Sequence, residues 1–225
     1  MESSREISSS DFRRHTAHVN SVAITSDNKF IVSSSSDRTL RVWNFQDKRP
    51  EAVLELYIDH AMSVQITNDN MFIVTGSVNN TVKVWNLQEK TQVAVLEGHT
   101  SYVRTVALTN DNKFLVSGSQ DNTVRVWNIK NKRQEGVLRG HTYYVNCVTI
   151  SSDNKFIVSG SNDRTVRVWS LIEKHREAVL KGHISYVTSV TITGNNKFIV
   201  SGSENNIVQV WNLQKISKGC DSKSK

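Results

Sequence analysis

Three side-chain types that together carry out nucleophilic hydrolysis recur along this chain of 225 residues. His99, Ser117 and Asp121 stand at fixed offsets, as do His141, Ser159 and Asp163, and His15, Ser33 and Asp37. In a hydrolase, Ser attacks, His takes its proton and Asp orients the imidazole. An active site is unique, however, whereas this set returns at the same offsets, as scaffolding does. There is no G-x-S-x-G elbow to expose a nucleophile. His15-x-x-His18 has a spacing that suits two metal ligands but lacks a third and fourth. No G-x-x-x-x-G-K-[ST] loop is present for nucleotide phosphates. Asn79-Asn80-Thr81 is a glycosylation sequon, idle in the absence of a secretory signal. These features predict a protein that is not an enzyme, with no metal, no cofactor and no small-molecule substrate.

The elements that position these residues follow from a repeat. The five tryptophans, Trp43, Trp85, Trp127, Trp169 and Trp211, are evenly spaced at 42 residues. Val22, Val64, Val106, Val148 and Val190 keep the same register, as do Phe30, Phe72, Phe114, Phe156 and Phe198. Strict periodicity of this kind marks a repeat architecture. In the third copy, Tyr102 to Thr109, Phe114 to Gly118, Thr123 to Ile129 and Glu135 to Leu138 read as four short strands separated by Asn, Asp and Gly turns. Val124 and Val126 fall on one side of the third strand and Trp127 on the other. Helical spacing is absent. One such sheet cannot bury both faces, so neighbouring sheets must stack.

Composition limits the classes. The chain is 37% hydrophobic with a net charge of +7, one proline and two cysteines. Apolar residues are spread throughout, so wholesale disorder is not indicated. No apolar run approaches the roughly 18 residues of a membrane span. Met1 to Ser10 is polar and lacks the apolar core of a signal peptide. Two cysteines, Cys147 and Cys220, make no disulfide framework. The expectation is an intracellular protein with reduced thiols, the cytoplasm favoured over the nucleus.

The G-H pairs Gly98-His99, Gly140-His141 and Gly182-His183, the strand end Ser117-Gly118-Ser119 and the run Asp121-Asn122-Thr123-Val124-Arg125-Val126-Trp127 resemble the WD-repeat family. The resemblance covers roughly residues 15 to 213. No unit has Asp after Trp; Asn44, Asn86, Asn128, Ser170 and Asn212 stand there. It implies an all-β propeller of five four-stranded antiparallel blades, closed into a ring or left as an open arc. It also implies that the recurring polar residues form buried hydrogen-bonded tetrads: His15, Ser33, Asp37 and Trp43; His99, Ser117, Asp121 and Trp127; His141, Ser159, Asp163 and Trp169. Unit two departs with Tyr57, Thr75, Asn79 and Trp85, and unit five with Asn205 in place of Asp, so those blades are expected to be less rigid.

If the framework is common, specificity lies where units differ. One column holds Asn20, Met62, Arg104, Asn146 and Thr188. A second holds Ser36, Val78, Gln120, Asn162 and Glu204. A third is aromatic: His18, His60, Tyr102, Tyr144 and Tyr186. In WD-repeat propellers the matching positions border the channel on the top face, where partners often dock. Rigid aromatics beside an Arg have the composition of a binding hot spot. Packing against the inner strand is the other reading of the tyrosines, and drift another reading of the variation.

Residues 99 to 140 carry seven basic and three acidic groups, and residues 57 to 98 two basic and four acidic. Lys130, Lys132 and Arg133 sit in a loop on the face opposite the tyrosines and offer a patch for nucleic acid or anionic lipid; a solvated loop is the plainer reading. Arg41, Lys83, Arg125 and Arg167 belong to the repeat. Family propellers usually have seven blades; a ring of five turns about 72° per blade rather than about 51°. The fifth unit lacks a fourth strand, which Ser8 to Arg13 could supply to close the ring; the rival expectation is an open five-blade arc, completed by another chain or truncated from a larger gene product. The expected organisation is an N-terminal segment at 1–14, five repeats forming one domain at 15–213 and a polar tail at 214–225. The expected function is a scaffold for protein or peptide partners, with nucleic acid or an anionic membrane surface as the alternative.

Overall fold

The computed structural model describes residues 15–56 and 59–218. Closure by Ser8 to Arg13, and the role given to Tyr57, lie outside those residues. The fold is all-β, with five antiparallel sheets whose strands follow chain order. Sheet one comprises Val19–Ile24, Phe30–Ser35, Thr39–Asn44 and Arg49–Glu55. Sheet three comprises Val103–Leu108, Phe114–Ser119, Val124–Asn128 and Arg133–Leu138. Sheets two and four repeat the plan, starting at Ala61–Ile66 and Val145–Ile150. Sheet five has three strands among the described residues: Val187–Ile192, Phe198–Ser203 and Val208–Asn212.

Two features differ from the sequence expectation beyond a residue at strand ends. The outer strand of sheet three begins at Arg133, so the basic loop is shorter than Lys130 to Arg133. The cause is a register shift beside Trp127, which inserts a residue and carries the pairing further back. The chain also contains a short helix, Leu213–Lys218, where no helical spacing was visible. Leu213 is buried and Ile216 packs with the apolar cluster of sheet five, so this turn stands on the core rather than in solvent.

Successive inner strands lie against one another from sheet one to sheet five. The core sits between sheets. Trp127, Leu115 and Val106 pack with Val74, Val82 and Val84 of sheet two. Val116, Val124 and Val126, facing the other way, pack with Val145, Ile157 and Trp169 of sheet four. Each strand therefore feeds two cores, as period-two alternation requires. Polar ties run alongside. Asn68 N–H donates to Asn112 Oδ1 (2.8 Å), Asn110 N–H to Asn154 (3.0 Å) and Ser152 N–H to Asn196 (3.0 Å), each crossing to the next sheet. The accepting asparagines have φ near +57°, a left-handed conformation that Asn tolerates better than most residues.

Among the described residues the sheets form an open arc. Apolar residues on the outward faces of sheets one and five, such as Val22 and Val208, are exposed, whereas their counterparts at the four internal junctions are buried, or half-buried in the case of Val190.

Candidate functional site

The repeated polar residues converge in three sheets. In sheet three the Trp127 indole N–H donates to Ser117 Oγ (2.8 Å), and Ser117 bonds His99 Nε2 (2.7 Å). His99 Nδ1 lies 2.7 Å from Asp121 Oδ2. Sheet four gives the same distances through Trp169, Ser159, His141 and Asp163. Sheet one gives 2.8 Å for Trp43 to Ser33, 2.7 Å for Ser33 to His15 and 2.8 Å for His15 to Asp37. An ionised carboxylate only accepts, so Nδ1 carries the proton and the serine hydroxyl donates to Nε2. Each serine oxygen thus holds one N–H and gives its own hydrogen away.

Electrostatics fix this assignment. Burial raises the Asp121 carboxyl, but bonds from His99, the Thr123 hydroxyl and Thr100 N–H outweigh it and hold the group well below the usual carboxylate range. Asp163 behaves alike. Burial lowers His99 and His141 below the usual imidazole value, only partly offset by the neighbouring carboxylate. The imidazoles are neutral clasps. Gly98 and Gly140, just before them, have φ of +153° and +151°, and a Cβ would meet Arg125 or Arg167 Nη1 at 2.5 Å. That explains the glycine of the G-H pair.

Sheet two reaches the same end differently. Trp85 Nε1 is 3.5 Å from Thr75 Oγ1, a long bond. Asn79 turns its side chain to Thr81. The buried acid is Asp59, which accepts from Lys83 Nζ at 2.7 Å and from Asn79 N–H at 3.3 Å. Both partners are nearly buried, with side-chain exposures of 11% and 1%. The sequence did not point to Asp59, because its column otherwise holds Ala17, Ser101, Tyr143 and Ser185; Lys83 among arginines was the one signal. In sheet five, His183 bonds Ser201 (2.7 Å), but His183 Nδ1 and Asn205 Oδ1 are buried without a partner.

The three variable columns come together on one face. Gln120 N–H donates to Tyr102 O, Asn162 N–H to Tyr144 O and Glu204 N–H to Tyr186 O, at 2.9, 2.9 and 3.0 Å. Ser36 and Val78 make the same bond to His18 and His60. Tyr102, Tyr186, His18, Thr188 and Glu204 are exposed; His60, Met62, Arg104, Gln120, Tyr144 and Asn162 are half-buried. Two members of the first column have structural work: Asn20 Nδ2 donates to Ala61 O of the next sheet (3.1 Å), and Asn146 Nδ2 to Val187 O (2.9 Å). Asn146 also bonds Asn162. The sequence reading missed Tyr143, exposed and stacked on Tyr144 with ring centroids 4.4 Å apart. Its signal was the Tyr143-Tyr144 doublet. With Tyr186 and the exposed Ile184, it makes the aromatic area heaviest on sheets four and five.

The basic loops lie at the other ends of the strands. Lys132 Nζ donates to Val93 O of sheet two (3.1 Å), and Lys90 sits over the Phe30 ring of sheet one (5.1 Å). These ammonium groups clasp the preceding sheet. Burial pushes the Cys147 thiol up to about 12, so it is not a nucleophile at neutral pH. No cluster of three or more His, Cys, Asp or Glu suited to a metal occurs among the described residues.

Antiparallel sheets stacked side to side, four of the five clasped by a His-Ser-Trp network, define a β-propeller-type repeat protein. The family model described as WD domain, G-beta repeat matches residues 7–44, 53–86, 90–128, 132–170 and 174–212, and the chain belongs to this family. No curated protein matches it significantly. Such repeats generally mediate protein–protein interaction, and proteins built from them are typically non-catalytic scaffolds.

Proposed function

We propose that the chain is a non-catalytic scaffold, one domain over 15–213, that presents the tyrosine-bearing face to a protein or peptide partner inside the cell. The observation that carries this is the grouping of Tyr102, Tyr143, Tyr144 and Tyr186 on the face that also holds Arg104, Gln120, Asn162 and Glu204. Tyrosine offers a large amphipathic surface with little side-chain entropy to lose, and Arg adds a directed donor set. The Ser-His-Asp sets do not support hydrolysis, because Ser117 and Ser159 are fully buried and no substrate reaches them. The engaged Lys132 argues against the basic loop as the main docking site.

The test is affinity capture from cell extract, with and without nuclease, using the wild type, Arg104→Ala, Tyr144→Ala and Lys132→Ala. A hot-spot truncation costs about 2 kcal/mol, roughly thirtyfold in affinity. Arg104→Ala and Tyr144→Ala are expected to lose partners that resist nuclease, with melting temperatures nearly unchanged. Loss on Lys132→Ala instead, or partners that vanish with nuclease, would transfer the function to the basic face.

A further inference from the structure

The two ends of the arc are shaped for each other. At each internal junction, a residue at the start of one inner strand presses on the end of the second strand of the sheet before it. A Cβ at Gly76 would lie 2.8 Å from Val103 Cγ1, at Gly118 2.7 Å from Val145 Cγ1, and at Gly160 2.6 Å from Val187 Cγ1. Where the slot is Gly, the knob is Val. At the first junction the slot is Ser34, and the knob shrinks to Ala61, buried completely. Knob and slot sizes therefore covary along the chain. Two residues in these columns have no counterpart: the knob Val19 of sheet one and the slot Gly202 of sheet five. They are a Val and a Gly, the pairing found at three of the internal junctions. Among the described residues, the Gly202 slot is met only by Ser189 of its own sheet.

The rest of both faces agrees. Val19, Val22 and Phe45 are 51%, 63% and 44% exposed, and Val208 and Val210 are 69% and 64% exposed. Their equivalents Val106 and Ile129, and Val124 and Val126, are buried where a neighbouring sheet covers them. The polar tie is also half-made at each end. Asn28, equivalent to Asn70, Asn112, Asn154 and Asn196, accepts no bond from a described residue, and Gly194 N–H stands at the position of the donors Ser26, Asn68, Asn110 and Ser152.

We propose that these faces dock head to tail between two copies of this chain, sheet five of one against sheet one of the next, rebuilding the internal junction across a molecular boundary. The interface is heterologous: each copy offers one face of each kind, so the contact closes into a ring of copies or continues as a filament. Uncovered apolar surface of this extent, carrying the complementary register of a known seam, is what drives the association.

The experiment uses the full chain. Sedimentation velocity from low to high micromolar concentration is expected to show species larger than one chain, growing with concentration. Val208→Glu, at an exposed position that leaves the internal cores untouched, is expected to weaken association by about tenfold or more while the melting temperature of the monomer is unchanged. Position is tested by disulfide capture on a Cys220→Ser background, with Val19→Cys in one tagged chain and Gly202→Cys in another. The equivalent pair places Val103 Cβ 3.3 Å from a Cβ built at Gly76, close to disulfide reach. A mixed-tag disulfide dimer supports the seam. A wild-type chain that stays monomeric at every concentration overturns it, as does association that Val208→Glu leaves intact. So does a monomeric internal disulfide in a chain carrying both substitutions, which would mean that the arc closes on itself.

Discussion

Sheet five carries a defect that one atom-for-atom exchange repairs. His183 Nδ1 and Asn205 Oδ1 are buried and unpaired, while sheets one, three and four place an aspartate at the latter position. Asn205→Asp has the same shape, so it needs no repacking. The new carboxylate gains His183 Nδ1–H and the N–H of Ile184, the counterparts of His99 and Thr100 on Asp121. It does not gain the hydroxyl bond of Thr123, because Ile207 stands there. Bonds to a charged acceptor contribute about 1.5–3 kcal/mol each, and burial of the charge offsets much of two such bonds, leaving about 1–2 kcal/mol. For a domain of this size that raises the melting temperature by about 2–8 °C. Amide exchange in Val208–Asn212 is expected to slow by about 5–30-fold, since that strand opens locally at the end of the arc. The gain has a defined pH dependence. A carboxylate stabilised on folding contributes fully above its unfolded pKa, near 3.8, and progressively less below it. Stability of the wild type itself is expected to start falling earlier, below about pH 6.5, because His99 and His141 are lowered on folding and the unfolded chain then binds more protons. A variant that melts no higher than the wild type at pH 7, or whose advantage persists unchanged at pH 3, refutes the clasp assignment.

Two further outcomes test the framework in urea melts. Trp127→Ala is expected to cost about 3–5 kcal/mol by emptying a fully buried site, and Trp85→Ala less, because its indole bond is 3.5 Å rather than 2.8 Å; equal costs would remove the distinction. Breaking the buried pair with Lys83→Met or Asp59→Leu alone is expected to cost about 3–5 kcal/mol, while the double substitution returns most of it. Additive losses would show that the two groups do not compensate each other.

The regular parts of the molecule were legible because they depend on period alone. Alternation placed Val124 and Val126 opposite Trp127, and the 42-residue spacing of the tryptophans set the number of sheets. What depends on reach across space was not. Asp59 compensates for Asn79 from a different turn, and no column of equivalent residues reveals it. Asn20 and Asn146 vary within their column as a ligand contact would, yet their amides tie one sheet to the next. Variation in a repeat separates framework from non-framework, but it does not separate a docking residue from a latch. The aromatic column was legible as a candidate, and Tyr143 escaped it only because its equivalents, Ser101 and Ser185, are small and polar.

The asparagine ties between sheets have a consequence for how such a chain arises and changes length. Every junction uses the same donor position, the same acceptor position and a knob matched to a slot. An in-frame loss of residues 99–140 would bring Asn68 to Asn154 and Gly76 to Val145, a seam of the kind already present between adjoining sheets. Whole units are therefore interchangeable parts: one can be duplicated or deleted without any new interface having to evolve. Stability then grows nearly linearly with the number of seams, as in a one-dimensional lattice of coupled sites. Within a single chain the terminal units, each held by one seam, are therefore the first to melt.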